Sequence, residues 1–293
     1  MKKDKSITWR HVEPKSLDLR KLKVAMIGGT GGIGRSLAQA LAKQGADVLV
    51  VGRTFKDETN PSISFVKADL SLLADARRVA DELPAESLAL VIMTTGVMAG
   101  PKRETTSEGI ERDLAISYLS RFVILNAIAP RLGKDRSDVR RKPRVFVMGF
   151  PGSGQKANVD DLNSKKSYGR MKAHMNTVAG NEALVLDVAR RFPQIDVFGL
   201  NPGFVKTGIR ANLFGSKLLL KIAEGLTSFM TIAPEVYAER MTPLLVSPDI
   251  DGRSGAMLNN RAQPILPSEN LRDPSYVQAV IRASNDLVAK TIA

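Results

Sequence analysis

The chain contains no cysteine, which excludes a disulfide scaffold and thiolate metal sites and leaves the redox compartment open. Histidine is nearly as scarce: His11 and His174 are the only two in 293 residues, too few for an ordinary zinc site, and no metal is expected. No run of about 18 uncharged apolar residues occurs, so no membrane-spanning helix is expected. The first residues, Met1–Lys23, are polar and basic and lack the apolar stretch of a secretory signal. A cytoplasmic protein is the expectation. Internal repeats and low-complexity linkers are also missing.

What is present suits a globular α/β protein. Hydrophobic residues make up 43% and charged residues 25%, enough for a buried core under a charged surface. The net charge is +13, but apart from small clusters such as Arg140-Arg141-Lys142 and Lys165-Lys166 the basic residues are spread along the chain. That distribution reads as a solvated basic surface rather than a nucleic-acid groove, and its field favours a polyanionic dinucleotide.

Strand-like and helix-like runs alternate. Strands are expected at Lys23–Ile27, Asp47–Val51, Ser64–Lys67, Leu88–Met93, Arg144–Met148, Ile195–Leu200 and Ala256–Leu258. Helical spacing appears at Ile33–Lys43, stopped by Gly45, and again near Leu72–Leu83, over Ser107–Ala129 and from near Tyr168 to Arg191. Strands joined through ten or more helical residues pair in parallel by right-handed crossovers. The expected fold is therefore α/β, a doubly wound, mostly parallel Rossmann sheet of about seven strands with helices on both faces. It is read as one domain over residues 1–293, with a basic extension at 1–22 and a lid-like insertion at about 204–232. The apolar residues of that insertion serve equally well as ordinary core.

The first strand runs into Gly28-Gly29-Thr30-Gly31-Gly32-Ile33-Gly34, and a helix follows. Glycines let backbone approach a pyrophosphate, and the helix N-terminus offers free N–H groups and a positive dipole end. Placed between strand and helix, the string is a dinucleotide fingerprint with Gly28, Thr30, Gly31, Gly32, Ile33 and Gly34 as contacts. An acidic residue about 20 positions further on would hold the adenosine ribose hydroxyls. Gly52 occupies that place and Arg53 follows, with Thr54 beside it. The missing carboxylate and the added guanidinium favour the 2′-phosphate of NADP(H), with Arg35 as a second contact.

With these residues in view, the sequence resembles the short-chain dehydrogenase/reductase family over nearly everything after Lys23, nearest to its retinol-dehydrogenase-like branch. The family's T-G-x-x-x-G-x-G lies on Ile27, Gly28, Gly32 and Gly34, with Ile27 in place of threonine. The resemblance implies an adenine contact at Asp69-Leu70, although Asp69 also suits a helix cap. It further implies cofactor contacts at Thr94-Thr95-Gly96, in place of N-N-A-G, and at Pro202-Gly203, Val205 and Thr207 after the sixth strand. Homo-oligomers formed through the helices at Ser107–Ala129 and Tyr168–Arg191 are implied as well.

The resemblance breaks at the catalytic positions. Ser117 stands where the family has a helical asparagine. Phe150 stands where it has the catalytic serine, with Ser153 nearby as a substitute. The motif Tyr-x-x-x-Lys fits Tyr168 and Lys172. Residues i and i+4 share a helix face, so the ammonium would lower the phenol's pKa and the phenol would exchange a proton with substrate. Yet Tyr168 lies 34 residues before Pro202, where the family has about 30, and His174 lies 28 before it. In the register of the retinol-dehydrogenase-like branch, His174 replaces the tyrosine and Val178 the lysine. On a continuous helix, six residues turn about 600°, which separates Tyr168 from His174 by about 120° and bars one role for both. The proton donor is thus Tyr168 with Lys172, or His174, or neither. The expected function is NADP(H)-dependent carbonyl reduction or alcohol oxidation on a small, fairly apolar substrate, with Ser153 or Ser117 orienting the carbonyl. The alternatives are an NADP(H)-binding sensor or scaffold and a non-redox lyase or isomerase.

Overall fold

The computed structural model describes residues 1–136, 141–203, 205 and 232–292. Its strands are β1 (Lys23–Ile27), β2 (Asp47–Gly52), β3 (Ile63–Lys67), β4 (Leu90–Met93), β5 (Arg144–Met148), β6 (Asp196–Leu200), β7 (Met257–Leu258) and β8 (Pro264–Ile265). They form one sheet in the order β3-β2-β1-β4-β5-β6-β7-β8. All neighbours pair in parallel except β7 and β8, which are antiparallel. The sheet therefore has eight strands rather than about seven. The eighth is two residues long and includes a proline, so it has no alternation to read.

The helices are α1 (Gly32–Lys43), α2 (Leu73–Glu82), α3 (Arg112–Leu114), α4 (Ser120–Ile128), α5 (Arg170–Arg191), α6 (Pro234–Val246) and α7 (Pro274–Ala289). The central strands are buried on both faces, which is why their sequences are continuous apolar runs. Val24, Met26, Val48, Val50, Ile92, Phe146 and Phe198 point into a core closed by α1 and α6. Their neighbours Ala25, Ile27, Val51, Val91, Met93, Val145 and Val147 point into the opposite core, under α2, α4, α5 and α7. Gly45 ends α1 as expected: its φ of +97° is the left-handed conformation that glycine adopts freely, and its N–H closes onto Ala42 O.

Two helix starts differ from the sequence reading. The helix expected from Ser107 begins at Arg112. Gly109, at φ +76°, makes a turn just before it, and the Glu111 carboxylate caps the new start by accepting from Asp113 N and Leu114 N. A wide turn of π type, Ala115–Leu119, then joins α3 to α4. The other helix begins at Arg170 behind Gly169, so Tyr168 lies outside it.

The first residues pack on the sheet edge: Lys3 pairs with Ile265, Ile7 and Leu19 are buried, and Trp9 Nε1 donates to Ala262 O at 2.6 Å. The lid-like insertion expected at about 204–232 lies outside the described residues apart from Val205 and Ile232, which form a parallel bridge. No helix among the described residues is long and apolar enough to cross a membrane. Chain order reverses between β2-β1 and β4, and the crevice at the carboxyl ends of these strands is the place such sheets offer a ligand.

Candidate functional site

At the head of that crevice β1 turns into α1. Gly28 has φ +96°, and a Cβ there would stand 2.6 Å from Thr95 N. Gly34 lies so close to β1 and β4 that a Cβ would meet Thr94 Oγ1 at 2.3 Å and Gly28 O at 2.4 Å. Thr94 Oγ1 itself hydrogen-bonds Gly28 O at 3.1 Å, which fixes the turn against β4. Gly31, the N-cap of α1, is different. Its backbone is extended, no side chain caps the helix, and a Cβ on it would meet nothing within 4 Å. The turn thus holds open space beside uncapped N–H groups at a positive helix end, which is what a pyrophosphate requires. Thr30 and Ile33 flank this space in sequence, and Gly32 opens the helix at φ +50°.

At the end of β2, Gly52 is packed under Thr30: a Cβ there would stand 2.5 Å from Thr30 Cγ2. A side chain at this position would have to displace that of Thr30. Arg53 and Thr54 are exposed, and Arg53 has no ion-pair partner among the described residues. Arg35 is already engaged. Its guanidinium donates to the buried Asp57 carboxylate, with Nη2 2.9 Å from Oδ1, and Gln39 adds a bond at 2.7 Å. These donors hold the Asp57 carboxyl below its ordinary range, Arg35 being the main cause. Asp69 accepts from Ser71 N and Oγ in a local turn. The cap of α2 is instead the Glu108 carboxylate, which accepts from Leu73 N at 2.6 Å and Ala74 N at 3.0 Å. Leu70 is buried next to it.

The catalytic candidates separate into three places. Tyr168 is half-buried, and its Oη donates to Gly100 O at 2.6 Å. Lys172 is exposed on α5. Since Tyr168 precedes the helix, the i, i+4 face expected for the pair does not exist, and the phenol is pushed up rather than down, first by burial and then by Glu111, Asp113 and Glu104. Ser153 turns its Oγ back onto Phe150 O at 2.7 Å. Its loop is clipped by the buried Glu182, which accepts from Gly152 N at 3.2 Å and Ser268 Oγ at 2.8 Å; burial pushes this carboxyl up.

The third place joins Ser117 and His174 through a residue the sequence reading passed over. Asp113 is fully buried. Its Oδ1 accepts from Ser117 Oγ at 2.5 Å, and its Oδ2 lies 2.7 Å from His174 Nδ1 and accepts from Ala99 N at 3.1 Å. Ser117 Oγ in turn accepts from Val97 N at 3.0 Å. An ionised carboxylate only accepts, so this network puts the His174 proton on Nδ1 and leaves Nε2 as the nitrogen free to exchange one. His174 keeps 20% of its side chain exposed, while Val178, one turn on, is buried. The spacing signal for Asp113 was present, since it lies four residues before Ser117, but its bond to His174 spans 61 positions.

Beside this group, Arg121 of α4 reaches the ends of β4 and β5, donating to Thr95 O and Met148 O. Gly96 leaves room there: a Cβ would have only Arg121 Nη2 and Ser117 Oγ near it, both at 3.7 Å. On the far rim, Gly203 has φ +63° and donates its N–H to Asn201 Oδ1 at 2.9 Å, next to Pro202. Val205 is buried; Thr207 lies outside the described residues.

Comparison with known proteins gives this arrangement a context. Residues 23–140 match the short chain dehydrogenase family model. An uncharacterized oxidoreductase of Saccharomyces cerevisiae is 46% identical over 296 residues, covering 99% of this chain and 96% of that protein. Mouse retinol dehydrogenase 14 is 25% identical over 271 residues, covering 83% of this chain and 79% of its own. Among solved structures, a protein of Mycobacterium paratuberculosis superposes with a TM-score of 0.72 at 19% identity, covering 96% of this chain and 98% of that one, a likeness of fold.

Proposed function

Because this chain belongs to the short-chain dehydrogenase/reductase family, related to its retinol-dehydrogenase-like branch, we propose that it is an NADP(H)-dependent oxidoreductase interconverting a carbonyl and an alcohol, with His174 as the acid/base. The observation that carries the reading is the 2.7 Å contact between His174 Nδ1 and the buried Asp113 carboxylate. A buried carboxylate on one ring nitrogen fixes the tautomer and orients the other nitrogen.

The residues present fit the dinucleotide. The open space at Gly31 and the N-terminus of α1 would hold the pyrophosphate. Arg53, exposed and without an ion-pair partner among the described residues, would take the 2′-phosphate, and Thr95-Gly96 with Pro202-Gly203 would flank the nicotinamide. When bound, the cofactor supplies or removes a hydride at the substrate carbon. His174 Nε2 gives the matching proton to the substrate oxygen in reduction and takes it in oxidation. The Asp113 carboxylate balances the imidazolium that forms. Ser117 holds Asp113 in place, so its hydroxyl acts on the carboxylate instead of on the carbonyl. Tyr168, bound to Gly100 O and raised by burial, is a wall residue of the site. The substrate is a small, fairly apolar carbonyl compound or alcohol.

The test combines calorimetry with turnover on a panel of apolar ketones and alcohols. NADP(H) binds more tightly than NAD(H). His174→Gln lowers turnover by about 10²–10⁴, the usual contribution of a positioned acid or base, and Tyr168→Phe changes it little. Full turnover in the His174 variant overturns the assignment. NADP(H) binding without oxidation across the panel would favour a sensor.

A further inference from the structure

Arg121 has 3% of its surface exposed, and its hydrogen bonds among the described residues go to neutral acceptors: Met148 O, Thr95 O, Thr95 Oγ1 at 3.3 Å and Asn181 Oδ1 at 3.0 Å. No carboxylate lies within ion-pair reach of it among the described residues. A guanidinium buried without a direct counter-ion is costly, and burial pulls this one down to about 9; the opposing pull comes from Asp113. A continuous path joins the two charges. Arg121 donates to Asn181, Asn181 Nδ2 donates to Ser117 O at 2.7 Å, Ser117 Oγ donates to Asp113, and Asp113 holds His174. A fixed cation at one end of this path faces a fixed anion near the other.

We propose that Arg121 is a positioning residue that acts on His174 through Asp113: it supplies the interior positive charge that balances the carboxylate, and so sets how readily His174 takes up a proton. The proposal rests on the reading of His174 as the acid/base. The sign follows from electrostatics. A cation near the pair disfavours an imidazolium, so its removal raises the pH at which the Asp113–His174 pair gains a proton. The other ionisable groups around this end of α5 are Glu111 on the element that carries Asp113, Arg103, Glu104 and Tyr168 in the adjoining loops, and Arg170 and Lys172 on α5 itself. Of the cations in this set only Arg121 is buried, so only its charge is fixed in place and poorly screened.

The scarcity of histidine makes the test direct. In the full chain labelled at histidine there are two imidazoles to follow by nuclear magnetic resonance, and exposed His11 is an internal reference. Arg121→Met is expected to move the His174 midpoint up by on the order of one pH unit, the scale of one poorly screened charge. Arg121→Lys, which keeps the charge and loses the fork, restores it towards the wild-type value, and His11 does not move in either. A purely structural Arg121 would instead leave the Met and Lys variants alike. If Arg121→Met does not fold, Arg121→Gln serves: it keeps polar donors and loses the charge, and the His174 midpoint rises as in the Met variant. An unmoved midpoint in folded Arg121→Met, or in folded Arg121→Gln, overturns the proposal. The titration needs neither substrate nor cofactor, so an enzyme without measurable redox turnover could still show the coupling, and an enzyme that uses His174 could fail to show it.

Discussion

Gly31→Val isolates what the phosphate turn does. Gly31 sits at φ −168°, ψ 169°, an extended conformation that a β-branched residue adopts readily, and a Cβ there would touch nothing within 4 Å. The substitution should therefore cost the fold little. The two methyl groups of valine project into the space beside the first N–H groups of α1, where the pyrophosphate would lie. Each hydrogen bond to a charged group contributes about 1.5–3 kcal/mol. Losing two such bonds weakens NADP(H) by about 3–6 kcal/mol, or roughly 10²–10⁴-fold at 1.4 kcal/mol per decade. Calorimetric titration with NADPH reads the affinity, and thermal unfolding without nucleotide reads the fold. The expected pair of results is lost binding at an unchanged melting temperature. Wild-type affinity in the variant would refute the placement of the phosphates. A large drop in melting temperature would refute the claim that the space at Gly31 is open.

Two further outcomes follow from the adenosine end of the crevice. Arg53→Ala should cost NADP(H) roughly 1.5–3 kcal/mol by calorimetry while leaving NAD(H) nearly unchanged, because only the 2′-phosphate distinguishes them. Asp57→Asn removes the partner of Arg35, and the sign of its pH dependence is fixed. A carboxyl held below its unfolded value stabilises the fold above that unfolded value, near pH 4, and the contribution fades as pH falls through the lowered pKa. Denaturant unfolding should thus show a gap between wild type and variant of about 1 kcal/mol or less at pH 7, since Arg35 is 37% exposed, with the gap closing below pH 4.

Most of the fold was legible because burial on both faces makes parallel strands into unbroken apolar runs. β1 and β5 have the bounds read from sequence, β2, β3, β4, β6 and β7 shift by two residues at most, and β8 was not read. The glycine turn was legible because its chemistry is local. Helix starts were less so. Apolar spacing continues across Gly109 and Gly169, and neither the positive φ of the first nor the capping by Glu111 shows in periodicity. That error mattered at Tyr168, where an apparent motif straddles the end of a helix. The Asp113–Ser117 spacing was readable, but Arg121 and Asn181 were not, because their roles come from α4 and α5 meeting at the ends of β4 and β5. A charged residue in a helical run reads as solvent-facing until the packing says otherwise.

The contact between Gly52 and Thr30 also constrains how this protein could change its cofactor. Introducing an acid at the end of β2 is the one-step route to NAD(H), since a carboxylate there holds ribose hydroxyls and repels a 2′-phosphate. Here that step requires the Thr30 side chain to move, because the new Cβ would stand 2.5 Å from Thr30 Cγ2. Gly52→Asp alone therefore presses on the Thr30 side chain within the glycine turn. Trimming Thr30 to alanine first removes the clashing methyl group. The two positions are therefore coupled: the side chain at 30 sets how easily a lineage, or an engineer, can place an acid at 52.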